Sequence, residues 1–462
     1  MEYISTRDKS KTFEFEDVFI KGLADDGGLF VPLSLHKYSE SEIKSFEKLS
    51  YSELAKKIIY PFIGNFMSEA DLTKTIEKSY SVFRKENVID IVKVGDRFVL
   101  ELFHGPTLAF KDIAMQLLGN FYEYYLNNKN EKINIVVATS GDTGAAAIDA
   151  IKGKKNINIF VLHPDNRISP VQRRLMTTGK NENVFNIAVK GNFDDCQNLV
   201  KSMFSDKEFS NKIKMSGVNS INWARIIAQS IYYFYCYFSV EDKKQPINFS
   251  VPTGNFGDVY AGYLAKKIGL PINKLIVATN QNDILHRAIS NGNYQSENVY
   301  ETISPSMDIQ IASNFERLIY DLNNQDNRQT SNDMKNIRDK GKYFLGSEKL
   351  KKVNHDFLSS RIDEKETLCI IKNVYEKFNM VLDPHTAIGY GAFNQHNLKG
   401  NNIVLATAHP CKFPDAILKA INLKSNLPEQ LKFILDEKEN YAILDNNIKE
   451  IKHYILEKLD EN

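Results

Sequence analysis

The sequence predicts an α/β protein built from parallel layers, with a separate small N-terminal domain. From about residue 130, short β-branched runs alternate with segments of helical periodicity, an order that indicates parallel α/β layers. The chain has 462 residues, which is too long for a single core and indicates two or three domains. The first hundred residues differ, because they combine a glycine-rich turn, GLADDGGLFVP, with helical segments such as YSELAKKIIYPFI.

The predicted strands and helices follow one another in pairs. The strand INIVVA (133–138) precedes a glycine loop and AAAIDAIK, and INIFVL (157–162) precedes a helix with Ser169 as N-cap and Pro170 as first residue. VFNIAVKG precedes FDDCQNLVKSMF, and NFSV, KLIVATN and NIVLA are later strands. The polar stretch 323–340 indicates an exposed insertion, and IKEIKHYILEKL indicates an amphipathic terminal helix.

Composition excludes several classes of protein. The formal charge of +1 argues against a nucleic acid or an anionic membrane as the main partner. The four cysteines contain no CxxC pair, so neither a zinc site nor a disulfide framework is indicated. The N-terminus has no apolar core of a signal peptide and too many acids for a transit peptide. We therefore expect a cytoplasmic protein.

Lys111 stands at an unusual place in FHGPTLAFKDIAMQLLGNFYEYYL. From Ala114 the apolar residues follow a 3.6-residue stripe, so Lys111 belongs to the first turn of the predicted helix. The partial positive charge at that end favours acids, as at Asp112, rather than a lysine. Two interpretations stay open: a solvated surface lysine, or an amine whose charge is destabilised so that it reacts with an aldehyde.

A second candidate is TSGDTG, the loop after the strand 133–138. Its glycines let the backbone fold back, its hydroxyls flank them, and the next helix turns its N–H groups outward. The loop therefore suits a carboxylate or phosphate, although an ordinary strand-to-helix turn without a ligand would have the same sequence pattern. Its members are Thr139, Ser140, Gly141, Asp142, Thr143 and Gly144.

A third candidate is PTGNFGD, a glycine-rich loop that offers several N–H groups to one phosphate. Its spacing is neither GxGxxG nor GxxxxGK[ST]. After NIVLA, the hydroxyl of Thr407 suits a ring nitrogen or a backbone partner, and His409 is left unassigned. An amine for an aldehyde, a phosphate loop, a partner for a pyridine nitrogen and a carboxylate loop together indicate pyridoxal phosphate.

Five motifs, HGPTLAFKD, TSGDTGAAA, NSINWARIIAQ, VPTGNFGD and ATAHPCKFPDA, occur in the order found in threonine synthases. The chain resembles the longer form of that family from about residue 5 to about residue 420. The resemblance implies a tryptophan synthase β-like, pyridoxal-phosphate fold type II with two parallel-sheet α/β domains. It also implies an N-terminal domain over 1–95 and a catalytic domain over 96–462, with a mobile α/β subdomain at about 125–210.

The resemblance assigns roles to matching positions. Lys111 matches the lysine that binds the cofactor covalently, and Thr407 the hydroxyl facing the pyridine nitrogen. The family's loop for the cofactor phosphate is matched by Gly254, Asn255, Phe256 and Gly257. The loop expected to close on the amino-acid end of the substrate is Ser140, Gly141, Asp142, Thr143 and Gly144. Asn222 and Arg225 match a segment lining the active site; the charge of Arg225 suits a substrate phosphate, or else a structural salt bridge. Cys411 replaces the family's commoner alanine and suits a small buried position.

The implied activity is that of a carbon–oxygen lyase in threonine biosynthesis. It converts O-phospho-L-homoserine and water to L-threonine and phosphate, with the Lys111 amine removing the Cα proton. One alternative is a serine or threonine dehydratase or a β-replacing synthase of the same fold. Another is a non-catalytic relative, which a missing lysine or a broken phosphate loop would have favoured. We expect a monomer, with a homodimer as the alternative.

Overall fold

The computed structural model describes residues 1–179, 181–240 and 242–461. The chain divides into two compact units. Unit 1 consists of residues 1–104 and 220–425, and unit 2 of residues 105–219 and 426–462. The predicted N-terminal domain (1–95) lies wholly within unit 1, and the predicted mobile subdomain (125–210) lies wholly within unit 2. The limits of those predicted domains stay predictions.

The strands confirm the alternation read from the sequence, and INIVVA and INIFVL both lie in strands. In chain order they are β1 Tyr3–Ser5, β2 Phe30–Pro32, β3 Asp90–Val94, β4 Arg97–Glu101, β5 Ile133–Ala138, β6 Ile157–Pro164, β7 Val184–Lys190, β8 Met215–Ser216, β9 Ile247–Pro252, β10 Ile272–Thr279, β11 Asn293–Gln295, β12 Lys342–Phe344, β13 Phe357–Arg361, β14 Asn401–Ala406 and β15 Ala442–Asp445.

The α-helices include the predicted helices that follow these strands. They are α1 Phe15–Lys21, α2 Glu40–Ser45, α3 Tyr51–Ile63, α4 Glu69–Tyr80, α5 Lys111–Lys129, α6 Asp142–Ile151, α7 Pro170–Thr177, α8 Phe193–Ser205, α9 Lys207–Lys212, α10 Trp223–Ser239, α11 Gly257–Lys267, α12 Ile284–Asn291, α13 Phe315–Leu322, α14 Asn327–Lys340, α15 Gly346–Asp356, α16 Glu364–Phe378, α17 Pro384–Ala392, α18 Pro414–Ile421 and α19 Ile448–Asp460. Short 3₁₀ turns cover Phe46–Lys48, Pro305–Met307, Phe393–Gln395, Pro410–Lys412 and Glu429–Leu435.

Unit 1 is built on a six-stranded sheet in the order β13-β10-β9-β14-β4-β3. Its strands are parallel except for β3, which pairs antiparallel with β4. All six residues of β9 are buried, as expected for a central strand covered on both faces. Because β9 and β14 are parallel neighbours, the glycine loop after β9 and Thr407 after β14 leave the same edge of this sheet.

Unit 2 is built on a five-stranded parallel sheet in the order β15-β7-β6-β5-β8. The TSGDTG loop follows the carboxyl end of β5, where ligands of open α/β sheets bind. Ser169 caps α7 by accepting a hydrogen bond from the N–H of Gln172, with Pro170 as the first helical residue, as predicted. The terminal helix α19 is amphipathic and buries Ile451 and Ile455.

The polar stretch 323–340 is exposed at ten of its eighteen residues, as expected, but not throughout. It contains the whole of α14, and that helix buries Asn327, Thr330 and Asp333. These side chains are hydrogen-bonded, since Asn323 donates to Thr330 and to Asp333, each over 3.0 Å, and Asn327 donates to the carbonyl oxygen of Ser5 over 2.7 Å. Hydropathy alone does not reveal burial of this kind. No helix among the described residues is both long and apolar enough to cross a membrane.

Candidate active site

Lys111 is the first residue of α5 in unit 2, as predicted. Its side chain is only 12% exposed, and its Nζ lies 3.2 Å from Oδ2 of Asp142. The Nζ also lies 5.1 Å from the centre of the Phe110 ring. Lys111 is therefore not a solvated surface lysine: its amine is enclosed by an aromatic ring and a carboxylate from the TSGDTG loop.

Asp112 fixes the turn that precedes Lys111, a role the sequence reasoning missed. Its fully buried carboxylate accepts hydrogen bonds from the N–H of Thr107 over 2.8 Å and from the Thr107 hydroxyl over 2.5 Å. A Cβ at Gly105 would come within 2.4 Å of the Asp112 Cβ, so only glycine fits there. The signal was present, because an acid in the first helical turn commonly binds nearby N–H groups.

Thr139 organises the TSGDTG loop. Its Oγ1 accepts hydrogen bonds from the N–H groups of Gly141 and Gly144, over 3.0 and 2.9 Å. Gly141 has φ +131°, in the region open chiefly to glycine, and a Cβ there would lie 2.9 Å from the Gln172 side chain. Thr139 was noted in the sequence as part of the loop but not as a site residue.

Asp142 begins α6 and joins the loop to two neighbours. One carboxylate oxygen faces Lys111, and the other accepts a hydrogen bond from Nε2 of Gln172 over 2.8 Å. Ser140 and Thr143 are half-buried, and within the described residues their hydroxyls form no side-chain hydrogen bond. Unit 2 thus brings together Lys111 and the whole predicted loop, with two hydroxyls left for a ligand.

The glycine loop of unit 1 ends at the first turn of α11. This helix begins at Gly257, and no side chain caps it. Its N-cap, Phe256, has φ +63°, a left-handed conformation that non-glycine residues rarely adopt. The Phe256 ring is fully buried against Phe315 and Phe357, at centroid distances of 5.2 and 6.0 Å, and this packing holds the turn. The uncapped helix start is an anion-binding arrangement.

The two other loop residues, Gly254 and Asn255, have structural contacts of their own. The carbonyl oxygen of Asn255 accepts hydrogen bonds from the backbone N and from Nδ2 of Asn314, both over 3.1 Å, while the Asn255 side chain is exposed. A Cβ at Gly254 would lie 2.4 Å from the carbonyl oxygen of Ser306. Glycine at 254 is therefore required by the chain that packs on the loop.

Thr407 and His409 follow β14 at the same sheet edge. Thr407 is 6% exposed, and its hydroxyl makes no hydrogen bond within the part of the chain that is described. His409 accepts a hydrogen bond at Nδ1 from the N–H of Cys411 over 3.2 Å. Burial, assisted by the charge of Arg84, lowers the pKa of His409 to about 4, so that it is neutral at physiological pH. Cys411 is buried, as expected.

Arg225 lies in the first turn of α10 in unit 1 and is 4% exposed. Its Nε and Nη1 have no hydrogen-bond partner among the described residues. Burial lowers the pKa of this guanidinium to about 10, and no carboxylate among the described residues offsets that effect. Unpaired buried cations are rare because they are costly, so the geometry calls for an anion.

Asn222 makes two structural hydrogen bonds at the start of α10. It is 1% exposed; its Nδ2 donates to the carbonyl oxygen of Phe19 over 2.8 Å, and its Oδ1 caps α10 by accepting from the N–H of Ala224. Its side chain therefore holds the helix of Arg225 to the N-terminal segment. A direct substrate contact by Asn222 stays a prediction.

A buried dyad supports the glycine loop and was not foreseen. Nδ1 of His385 lies 2.8 Å from the Asp383 carboxylate, and its Nε2 accepts from the N–H of Ser306 over 3.3 Å. The proton of this histidine is therefore on Nδ1. Because the Ser306 carbonyl packs on Gly254, the dyad fixes the segment that covers the loop. The segment DPHTA (383–387) has no local sequence pattern that indicates the contact between His385 and Ser306.

Comparison with known proteins matches three family models. They are Threonine synthase N terminus at residues 2–80, Pyridoxal-phosphate dependent enzyme at residues 93–336, and Threonine synthase, C-terminal at residues 386–455. A curated threonine synthase of Pseudomonas aeruginosa is 43% identical over 459 residues, which cover 98% of each chain.

Solved structures give the same result over the full length. A crystal structure of threonine synthase with bound pyridoxal phosphate, from Brucella melitensis, is 43% identical with a TM-score of 0.96 and covers 99% of each chain. A crystal structure of yeast threonine synthase is 42% identical with a TM-score of 0.95, covering 100% of this chain and 99% of its own. At this likeness both the fold and the family are shared.

Proposed function

Because the chain belongs to the threonine synthase family, we propose that it converts O-phospho-L-homoserine and water to L-threonine and phosphate. The proposal rests on full-length relatives at about 40% identity and on family models that together cover most of the chain. It makes the protein a pyridoxal-phosphate-dependent lyase of amino-acid biosynthesis.

Arg225 is the observation that carries the choice of substrate. A serine or threonine dehydratase acts on a substrate without phosphate, and would leave the buried Arg225 guanidinium without an anion. A phosphate ester supplies that anion, and charge-assisted hydrogen bonds from arginine to phosphate are among the strong ones. We assign Arg225 to the substrate phosphate.

Residues of each unit, taken by itself, suit a part of pyridoxal phosphate. Lys111 offers an amine that is enclosed yet 12% exposed, and the uncapped start of α11 suits a phosphate. The Thr407 hydroxyl, without a partner in the described chain, suits the pyridine nitrogen. We propose that Lys111 holds the cofactor aldehyde, that Gly254–Gly257 hold its phosphate through main-chain N–H groups, and that Thr407 contacts the ring.

Proton transfer falls to Lys111. When bound, pyridoxal phosphate makes the Cα proton of the substrate acidic by delocalising the negative charge that its removal leaves. The Nζ of Lys111 would take that proton, and the Asp142 carboxylate, 3.2 Å away, would stabilise the ammonium that forms. Asp142 is itself fixed by Gln172, so it orients Lys111 from a defined position.

The loop around Asp142 would bind the amino-acid end of the substrate. The hydroxyls of Ser140 and Thr143 are half-buried at the start of α6, where helix N–H groups favour a carboxylate. Thr139 and Gly141 hold that start in place. We propose that this loop closes on the substrate, which would exclude water until the phosphate has left.

A substrate comparison tests the proposal. The holoenzyme is incubated in parallel with O-phospho-L-homoserine, L-homoserine, L-serine and L-threonine, and threonine, phosphate, ammonia and oxo acids are quantified. We expect threonine and phosphate in equal amounts from O-phospho-L-homoserine alone, and no product from a Lys111→Ala variant. Ammonia and an oxo acid from serine or threonine as the main reaction would contradict it.

The setting of the enzyme is also proposed. The described cysteines are unpaired, and three of the four are buried, which suits a reducing compartment such as the cytoplasm. We propose a monomer whose only partners are its small-molecule substrate and cofactor. A molar mass near 52.8 kDa from light scattering supports this, and a doubled value refutes it.

A further inference from the structure

Arg317 is a buried charge that the reaction does not use. It lies in α13 with no exposed surface, and its guanidinium meets main-chain carbonyls rather than a carboxylate. Nε and Nη2 both donate to the carbonyl oxygen of Phe30 over 3.1 Å, and Nη2 donates to that of Ile221 over 2.7 Å. The ring of Trp223 lies 5.3 Å from the guanidinium carbon. Arg317 thus ties strand β2 of the N-terminal segment to the residues before α10.

Asn314 extends this link to the glycine loop. Its Oδ1 accepts a hydrogen bond from Nη1 of Arg317. Its Nδ2 donates to the carbonyl oxygens of Asn255 and Ser220, over 3.1 and 3.2 Å, and its backbone N donates to Asn255 as well. Asn314 is fully buried. One guanidinium and one amide therefore join three segments that are far apart in the chain.

We infer that Arg317, acting through Asn314, is the positioning residue that sets the geometry of both phosphate-binding parts of unit 1. Those parts are the Gly254–Gly257 loop and the start of α10, which carries Arg225. The inference rests on the proposed function, because it assigns roles toward the same cofactor and substrate phosphates. It also gives the N-terminal segment a part in catalysis, since the Phe30 carbonyl completes the guanidinium's contacts.

The chemistry of the link explains why arginine is used. A buried guanidinium is costly unless its donors all find acceptors, and its planar fork reaches acceptors on several sides, whereas a lysine ammonium is a flexible point charge. The paired donors on the Asn255 carbonyl fix the direction of that peptide. Phe256 then enters the left-handed conformation that aims the following N–H groups along α11.

Asn314→Asp is the sharpest test. Asp still accepts from Arg317, and as an ion pair, so the buried cation keeps a partner. It removes the side-chain donor from Asn255 and Ser220 and sets an oxygen against their carbonyls. Arg317→Lys is the second variant. Arg7→Gln is the matched control, because Arg7 also links the N-terminal segment to α13, through Glu316 over 2.7 Å, without touching the loop.

The readouts are the dissociation constant of pyridoxal phosphate, the ³¹P resonance of its phosphate in the holoenzyme, and inhibition by inorganic phosphate. We expect Asn314→Asp and Arg317→Lys to weaken cofactor binding by about 10-fold or more, since a buried acceptor left without its hydrogen bond costs about that factor or more. The ³¹P signal should shift, and inhibition by phosphate should weaken. Arg7→Gln should leave all three near wild type.

Two results would overturn the inference. One is cofactor affinity and a ³¹P signal in Asn314→Asp equal to those of the wild type. The other is an equal loss in Arg7→Gln, which would trace the effect to general loosening of the N-terminal segment. Failure of the wild-type protein to bind pyridoxal phosphate would overturn the proposed function itself, and with it this inference, so the two failures are distinguishable.

Discussion

Replacing Arg225 with methionine should produce a protein that is more stable and less active. Methionine matches the length of the arginine stem and removes the charge. Arg225 is 4% exposed, and two nitrogens of its guanidinium have no partner in the described chain. An unpaired buried charge destabilises the folded protein and is retained because a ligand needs it. Removing the charge should therefore raise the free energy of unfolding and lower the activity.

The expected sizes follow from the structure. Burial lowers the pKa of Arg225 from its ordinary value to about 10, which at 1.36 kcal/mol for each pKa unit makes the charged form about 3 kcal/mol less favourable in the fold. Below about pH 10 the group is charged in both the folded and unfolded states, so that penalty is fully present in any neutral assay. Loss of a buried charged contact to phosphate costs about 2–5 kcal/mol, or roughly 30-fold or more in kcat/KM.

The assay pairs kinetics with unfolding. Phosphate release gives kcat/KM, and thermal or denaturant unfolding of the cofactor-free protein gives the free energy of unfolding, with and without inorganic phosphate. Phosphate should stabilise the wild type more than the variant, because the variant keeps only the Gly254–Gly257 loop as a proposed phosphate site. Arg97→Met is the control, because Arg97 is a buried arginine whose Nη2 donates to Oδ1 of Asn394 over 2.6 Å and whose Nη1 donates to the Tyr390 carbonyl. That control should lose stability.

Two outcomes would refute this reasoning. If Arg225→Met keeps kcat/KM within about twofold of wild type, the guanidinium does not bind the substrate phosphate. If the variant loses both stability and activity, Arg225 has a structural partner, and the salt-bridge alternative read from the sequence is correct.

Three further predictions concern single side chains. Gly141→Ala should lower the free energy of unfolding by about 1–3 kcal/mol and reduce activity, because φ +131° disfavours a side chain and the new Cβ would meet Gln172. Gly153→Ala is the control: Gly153 also has a positive φ but has open space around it, so this variant should keep its activity in the same assays. Thr407→Val should keep the free energy of unfolding near wild type and yet weaken cofactor binding by roughly 10-fold, measured by absorbance titration, since the hydroxyl has no partner in the described chain; unchanged binding would remove Thr407 from the cofactor site. The folded pKa of His409, about 4, lies below its unfolded pKa, so between about pH 6.5 and 4 the unfolded state binds more protons than the folded state. The free energy of unfolding of the wild type should therefore fall by up to about 3 kcal/mol as the pH drops through that range. His409→Asn should abolish this loss. An equally steep acid loss in the variant would assign it to other groups.

Sequence patterns predicted the features that depend on neighbouring residues, such as helix starts, helix caps and the loops that follow strands. The start of α5 at Lys111 follows from a Gly-Pro turn and a 3.6-residue stripe, and the cap of α7 follows from Ser169 and Pro170. The loops after β5, β9 and β14 could be singled out because parallel strands end at one edge of a sheet.

Contacts between distant residues were not predictable from one sequence. Arg225 looks like any arginine in a helix, and only the packing around α10 shows that two of its nitrogens lack partners. Arg317 lies 287 residues from Phe30, whose carbonyl it binds, and neither position has a distinctive local pattern. The hydrogen bond from the Asn222 amide to the carbonyl of Phe19, 203 residues away, has no local sequence signal either.

The polar stretch 323–340 shows a third limit. Its composition indicated exposure because polar residues are mostly exposed. Burial of Thr330 and Asp333 instead depends on hydrogen bonds from Asn323, which only the folded chain supplies. Buried polar groups are tolerated when they are paired, so polarity alone does not determine exposure.

Running the reaction in H₂¹⁸O tests the proposed chemistry with one measurement. In the proposed reaction the Cγ–O bond of O-phospho-L-homoserine breaks and water adds at Cβ. Mass spectrometry should then find one ¹⁸O atom in the hydroxyl of each threonine and none in the phosphate released. Homoserine accompanied by ¹⁸O-labelled phosphate would show hydrolysis at phosphorus, and would contradict the assignment of this chain's activity.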